Sequence, residues 1–129
     1  MKISVVIPTH NRKHTLSRAT DSVLAQSYQP FEIIVIDDGS TDGTFDWIKS
    51  KYPSIKLLES HKPSKSLKGY SPQGVSVARN VGIKQSKGDW IALLDSDDEW
   101  TPDKLIKQVQ SLKKNEGSVF CHTNEIWIR

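Results

Sequence analysis

One cysteine and one methionine stand among 129 residues, and no apolar run approaches the roughly 20 residues that span a bilayer. A lone cysteine excludes an internal disulfide and a cysteine-based zinc site, so Cys121 is expected to pack as a small hydrophobe. The apolar part of the N-terminal Met1-Lys2-Ile3-Ser4-Val5-Val6-Ile7-Pro8 is too short for a signal peptide, and the expected location is cytoplasmic. Four histidines are present without a His-x-x-His pair, which leaves no zinc signature. His10 falls in the loop after the first strand, His14 and His61 read as surface residues, and His122 as a core or rim residue. Acid is missing altogether between Ser60 and Gly88, where His61, Lys62, Lys65, Lys68, Arg79, Lys84 and Lys87 lie. A basic stretch of this kind suits a diphosphate, a nucleic acid or an anionic surface; a solvated lysine-rich loop is the plainer reading. No internal repeat is visible.

What is present is a chain of ordinary soluble composition, 36% hydrophobic and 26% charged with a formal net charge of +3. Its length suits one domain, residues 1–129, and hardly two. Short apolar runs alternate with amphipathic segments. Ile3 to Ile7, Phe31 to Ile36, the weaker Ile55 to Leu58, and Trp90 to Leu94 read as strands covered on both faces. Leu16, Ala19, Val23 and Leu24 recur at helical spacing, with Asn11 or His14-Thr15 near the start. Asp42-Gly43-Thr44 opens a second helix through Trp47 and Ile48. Val77, Ala78, Val81 and Gln85 mark a third. Thr101-Pro102-Asp103 starts a fourth, with Thr101 as N-cap and Pro102 at the first helical position. Its buried face is Leu105, Ile106, Val109 and Leu112. A last strand is expected over residues 118–129, with Val119, Phe120, Ile126, Trp127 and Ile128.

The resulting order, β-α-β-α-β-α-β-α-β, predicts an α/β fold with a mostly parallel, Rossmann-like sheet and helices on both faces. Ligands of such sheets sit outside the carboxyl ends of the strands. That edge gathers Pro8-Thr9-His10-Asn11, Asp37-Asp38-Gly39-Ser40 and Asp95-Ser96-Asp97-Asp98. The last of these, with Glu99, puts four acids into five residues directly after an apolar strand. They repel one another unless a cation sits among them, and oxygen-only ligands suit Mg²⁺ or Mn²⁺, which leave positions for substrate phosphates. The plainer alternative is a solvated loop leading into the next helix. Residues 60–74, rich in Ser, Pro, Lys and Gly, read as a loop beside this edge.

Four segments in order, Val5-Val6-Ile7-Pro8-Thr9-His10-Asn11-Arg12, Ile34 to Thr44, Gly74 to Gly82, and Asp95 to Asp98, resemble the family 2 glycosyltransferases, which have the nucleotide-diphospho-sugar transferase fold. The resemblance implies a nucleotide-diphospho-sugar donor, a UDP-sugar, and inverting transfer to a saccharide, lipid or other hydroxyl acceptor, as in polysaccharide biosynthesis. It places Pro8, Thr9, Asn11, Arg12, Asp38, Arg79, Asp95 and Ser96 at the donor. Asp38 matches the acid that takes the uracil N–H, and Thr9 borders base or ribose. Arg79 contacts base or phosphates while Asn80 supports the loops. Asp95 and Asp97 form the Asp-x-Asp metal pair, with Asp97 on the metal and Asp95 on ribose or a metal-bound water. Asp37 is open to a structural role in its turn, Arg79 to an ion pair with Asp37 or Asp95, Asp98 is undecided, and Glu99 reads as a solvated residue leading into the helix. Gly82 is expected to serve packing.

The general base that such a transfer needs lies, in the family, past the Asp-x-Asp motif, and no residue here matches it. The chain is therefore expected to be the donor-binding part of a longer, C-terminally continued protein, with any membrane association through the missing part and the oligomeric state left open. No nucleic-acid partner is expected. Three rivals differ in class. A haloacid dehalogenase-type phosphatase would use Asp95 as nucleophile and Asp97 as acid, but its motif opens the domain, and Asp38 and Arg79 go unexplained. A non-catalytic nucleotide-sugar binding module fits the missing base. A dinucleotide-binding dehydrogenase is disfavoured, because the first strand leads into Pro-Thr-His-Asn and not a Gly-x-Gly-x-x-Gly turn.

Overall fold

β-branched residues dominate the first two strands because both faces of those strands are covered. β1 (Ile3–Thr9) is buried along its whole length, and β2 (Glu32–Asp37) pairs with it in parallel, Val5 opposite Ile33 and Thr9 opposite Asp37. The structure, a computed structural model, describes residues 1–60 and 72–127. Within it the elements follow as α1 (Lys13–Leu24), α2 (Thr44–Lys51), β3 (Lys56–Glu59), α3 (Val75–Gln85), β4 (Trp90–Leu93) and α4 (Lys104–Lys114). The sheet order is β3-β2-β1-β4 and every pairing is parallel. The strand order reverses at β1, so the crevice at its C-terminal end is the topological switch point.

Alternation along β1 divides the core. Ile3, Val5 and Ile7 pack with Leu16, Ala19 and Val23 of α1, Ile48 of α2, and Leu105 and Val109 of α4. Val6, with Ile34 and Ile36, faces the other way, onto Ala78 of α3. Helices thus cover both faces, as the alternating pattern predicts. On the second face α3 comes close: a Cβ at Gly82 would lie 2.5 Å from Val6 Cγ1 and 2.6 Å from Ile36 Cδ1. At the opposite end from the switch point, the buried Ser4 hydroxyl donates to Glu32 (2.6 Å) and accepts from the Gly88 N–H (2.9 Å), while the Lys87 N–H also reaches Glu32 (2.6 Å). These bonds lace β1, β2 and the turn before β4 together.

The sequence pattern and the structure part in several places, one of them β4, read as covered on both faces, whose Ile91 and Leu93 are exposed. Residues 118–127 form no strand, and Val119, Phe120, Ile126 and Trp127 are exposed. A strand exists only by pairing, and among the described residues this segment makes no backbone bond to the free edge of β4. Cys121, expected to pack apolar, is half-buried in that irregular run. Helix α4 starts at Lys104 and not beside Thr101, because the Thr101 hydroxyl donates to Asp103 (3.0 Å) and its carbonyl accepts from Lys104 (3.1 Å), a turn that precedes the helix. Leu24 and Val77 are exposed and Thr20 is buried, while Leu16, Ala19, Val23, Ala78 and Gly82 are covered as expected. Residues 61–71 of the basic stretch, with His61, Lys62, Lys65 and Lys68, and the terminal Ile128 and Arg129, lie outside the described residues.

Candidate functional site

The carboxyl ends of β1, β2 and β4 open on a cavity of about 330 Å³. Pro8, Thr9, His10 and Arg12 come from the end of β1 and its loop, and Asp38 from the residue after β2. Asp95, Ser96 and Asp97 follow β4. Val75, Ala78 and Arg79 close the wall from α3. The parallel register explains the meeting: Thr9 lies opposite Asp37, and the Asp38 N–H donates to the Thr9 carbonyl at 2.8 Å. Of the residues singled out from the sequence for the donor, Pro8, Thr9, Arg12, Asp38, Arg79, Asp95 and Ser96 line this cavity. Asn11 stands outside it. Its backbone N–H donates to the Ser40 hydroxyl (2.9 Å) and its side-chain oxygen accepts from the Thr41 N–H (2.7 Å), which ties the loop after β1 to the loop after β2. Asn80 is exposed and shares none of the site's hydrogen bonds among the described residues, because one step along α3 turns it away from Arg79.

The two acids at the end of β2, Asp37 and Asp38, have separate duties. Asp37 is buried and accepts from the Ser40 N–H (3.4 Å) and from the Ser40 hydroxyl, closing its own turn. Burial pushes its carboxyl above the ordinary value against the pull of those bonds. Asp38 faces the cavity with its carboxylate already engaged: Oδ1 accepts from the Ser60 hydroxyl (2.6 Å) and the Gln73 N–H (2.8 Å), and Oδ2 from the Gly74 N–H (2.8 Å). Burial raises its pKa, but the Ser60 hydroxyl and the Gln73 and Gly74 N–H groups hold it below the ordinary value. Asp38 is therefore an anion at neutral pH, and it anchors the start of α3.

Across the cavity Arg79 Nη2 lies 2.6 Å from Asp95 Oδ1, an ion pair between groups that keep 31% and 47% of their side-chain exposure. This is the pairing that the sequence left open beside a ligand role. Arg79 Nε and Thr9 Oγ1 are buried without a partner among the described residues. Both belong to residues of the cavity wall, and a buried donor without a partner carries a desolvation cost that a bound polar ligand would remove.

Asp95, Asp97 and Asp98 each offer a carboxylate oxygen, and these oxygens lie within 4.8 Å of one another. Asp98 joins the pair read from the sequence. Burial, and then the charges of Asp97, Asp95 and Glu125, raise its pKa. An all-oxygen set with concentrated negative charge at the mouth of a cavity fits a hard divalent cation, Mg²⁺ or Mn²⁺. The sequence placed His10 at this edge without giving it a role, and did not single out Val75 and Ala78 as wall residues. His10 carried a signal in its place next to Thr9; the two apolar residues carried none beyond helical periodicity.

Residues 4–126 match the model of glycosyl transferase family 2. A glucosyltransferase of Escherichia coli, WfgD, named for moving glucose from UDP-Glc to a GlcNAc-diphosphoundecaprenol, is 37% identical over 125 residues, 96% of this chain and 46% of its own length. The crystal structure of Staphylococcus aureus TarS residues 1–349 with UDP superposes with a TM-score of 0.73 at 28% identity, covering 88% of this chain and 32% of that one. The Pyrobaculum calidifontis mannosyltransferase PcManGT, solved with GDP-Man and Mn²⁺, superposes with a TM-score of 0.69 at 24% identity over 86% of this chain and 32% of its own, a likeness of fold alone. The chain spans less than half the length of the curated relatives it matches. With the four sequence segments gathered at one switch-point cavity, this chain belongs to glycosyl transferase family 2.

Proposed function

We propose that this chain binds the nucleoside diphosphate part of a sugar donor, with uracil as the base, and serves a glycosyltransferase that passes the sugar to a hydroxyl acceptor. The observation that carries the reading is the meeting of Asp38, Arg79 and the Asp95-Asp97-Asp98 cluster around one cavity. A carboxylate has about four acceptor positions. Three on Asp38 are taken, so one remains, on Oδ2, for a single ring N–H such as that of uracil. Thr9 Oγ1 and Arg79 Nε, without a partner among the described residues, are donors for ribose and phosphate oxygens.

Asp97 and Asp98, with Asp95, would hold a divalent cation, which when bound neutralises charge on the diphosphate leaving group. The protein's own part is placement. Asp38 fixes the base, Arg79 orients Asp95 through their ion pair, and the apolar faces of Val75 and Ala78 keep water from one wall of the nucleotide. The acceptor and the general base are proposed to belong to a longer protein, in line with the length of the relatives. Calorimetric titration of the chain with UDP, with and without Mn²⁺, tests the reading. Binding strengthened by Mn²⁺ is the expected result, and no binding under either condition overturns it.

A further inference from the structure

His10 is the one wall residue whose two ring nitrogens are both engaged, and the partners determine which nitrogen carries the proton. The Thr41 N–H can only donate, so the Asn11 oxygen must face it (2.7 Å) and the Asn11 amide nitrogen must face His10 Nε2 (3.4 Å). Nε2 is then an acceptor. On the other side His10 Nδ1 lies 2.8 Å from the Asp38 carbonyl, which can only accept, so Nδ1 bears the hydrogen. One tautomer, with Nδ1 protonated and Nε2 bare, satisfies both partners.

That carbonyl needs a partner. β2 ends at Asp37, so the sheet ladder no longer holds the peptide that follows Asp38, and the next residue is Gly39 at φ 75°, a backbone with little resistance to rotation. Asn11 is itself held in the left-handed region, at φ 49°, which Asn tolerates better than most residues, and its bonds to Ser40 and Thr41 keep it there.

We propose that His10, fixed as its Nδ1–H tautomer by Asn11, is a positioning residue that pins the Asp38 peptide, and through Asp38 sets both the base-binding carboxylate and the start of α3. The proposal rests on the nucleotide reading for its effect on ligand, but the pinning itself is independent of any ligand. Asp38 transmits it directly, since its carboxylate receives the Gln73 and Gly74 N–H groups that lead into the helix bearing Arg79.

Two variants separate a hydrogen-bonding ring from a mere wall. In His10→Asn the amide nitrogen occupies the place of Nδ1 and keeps a donor for the Asp38 carbonyl. His10→Phe keeps the ring and loses the donor. With UDP and Mn²⁺, His10→Phe is expected to bind roughly fivefold or more weakly than the unaltered chain, the cost of one lost hydrogen bond, and His10→Asn to bind more tightly than His10→Phe. Unchanged affinity in His10→Phe, or an equal or larger loss in His10→Asn, overturns the proposal. Two readouts need no ligand. Ring ¹⁵N shifts of the unaltered chain are expected to show protonated Nδ1 and bare Nε2, and the Gly74 amide is expected to exchange faster in His10→Phe. A protonated Nε2 with bare Nδ1, or unaltered Gly74 exchange, also overturns it. Failure of the unaltered chain to bind UDP would instead strike the functional reading and leave these two tests standing.

Discussion

At the scale of single residues, neighbouring acids with the same chemistry are set apart by what surrounds them. Asp37 is spent on Ser40, Asp38 on Ser60, Gln73 and Gly74, and Asp97 on no hydrogen bond or ion pair among the described residues. Replacement therefore separates their roles in binding. Asp97→Asn is expected to abolish most of the gain in UDP affinity that Mn²⁺ brings while leaving metal-free uridine binding near its original level. Asp38→Ala is expected to weaken both by about tenfold or more, since hydrogen bonds to a charged group contribute about 1.5–3 kcal/mol. Equal losses for both ligands in Asp97→Asn, at unchanged fold, would contradict a metal role. Asp38 was legible in the sequence because two acids before Gly39 end an apolar run. The occupancy of its carboxylate was not, because Gln73 and Gly74 are 35 and 36 residues away along the chain.

At the scale of elements, two glycines mark where segments approach too closely for a side chain. Gly82→Ala would push a methyl against Val6 and Ile36, and the helix-propensity gain of about 1 kcal/mol offsets only part of an overpacking cost of about 1–3 kcal/mol. Gly88→Ala would meet the Lys2 carbonyl at 2.8 Å and the Ser4 nitrogen at 2.9 Å, backbone atoms that cannot turn aside. Denaturant unfolding is expected to show the larger loss for Gly88→Ala, about 2–3 kcal/mol. Beside it, Glu32 links β1 to the turn before β4. Burial raises its pKa, but the Ser4 hydroxyl, the Lys87 amide and the charges of Lys56 and Lys87 bring it below the ordinary 4.5. A carboxyl depressed in the folded state stabilises above its unfolded pKa, and that contribution is lost as pH falls through 4.5 and below. Glu32→Gln should accordingly flatten the decline of stability between pH 4.5 and the folded pKa, measured by thermal melts across that range. Asp37, raised by burial, has the opposite sign: its contribution is present at low pH and is lost as pH climbs through its folded pKa.

At the scale of the whole molecule, the sheet is protected unevenly. β1 and β2 are inner strands, whereas β4 is an edge with Ile91 and Leu93 at 39% and 49% exposure. Among the described residues nothing pairs with that edge. Amide exchange is expected to be slowest at Val5, Val6, Val35 and Ile36 and faster at Ile91 and Leu93, where local opening does not require the core to unfold. Comparable protection in β4 and β1 would show that its edge is covered in solution. Leu93→Lys is expected to reduce self-association at little loss of stability, as charge on an edge strand opposes further pairing.

The sequence by itself determined the alternation of strand and helix, the parallel sheet that such alternation demands, and the three polar clusters at strand ends. Each of these follows from local periodicity and from turn residues next in the chain. The resemblance carried by those clusters pointed to the right family for the same reason, since its motifs are contiguous. The tertiary structure alone decided how the clusters share their bonds: that Asn11 serves His10 and the neighbouring loop and not the cavity, that Asp38 anchors α3, that Asp98 joins Asp95 and Asp97, and that Arg79 reaches Asp95. It also decided that residues 118–127 form no strand among the described residues despite their β-forming composition. A hydrogen bond or a strand ladder belongs to two segments at once, and their relative placement is set by packing across the sheet, which no local pattern records.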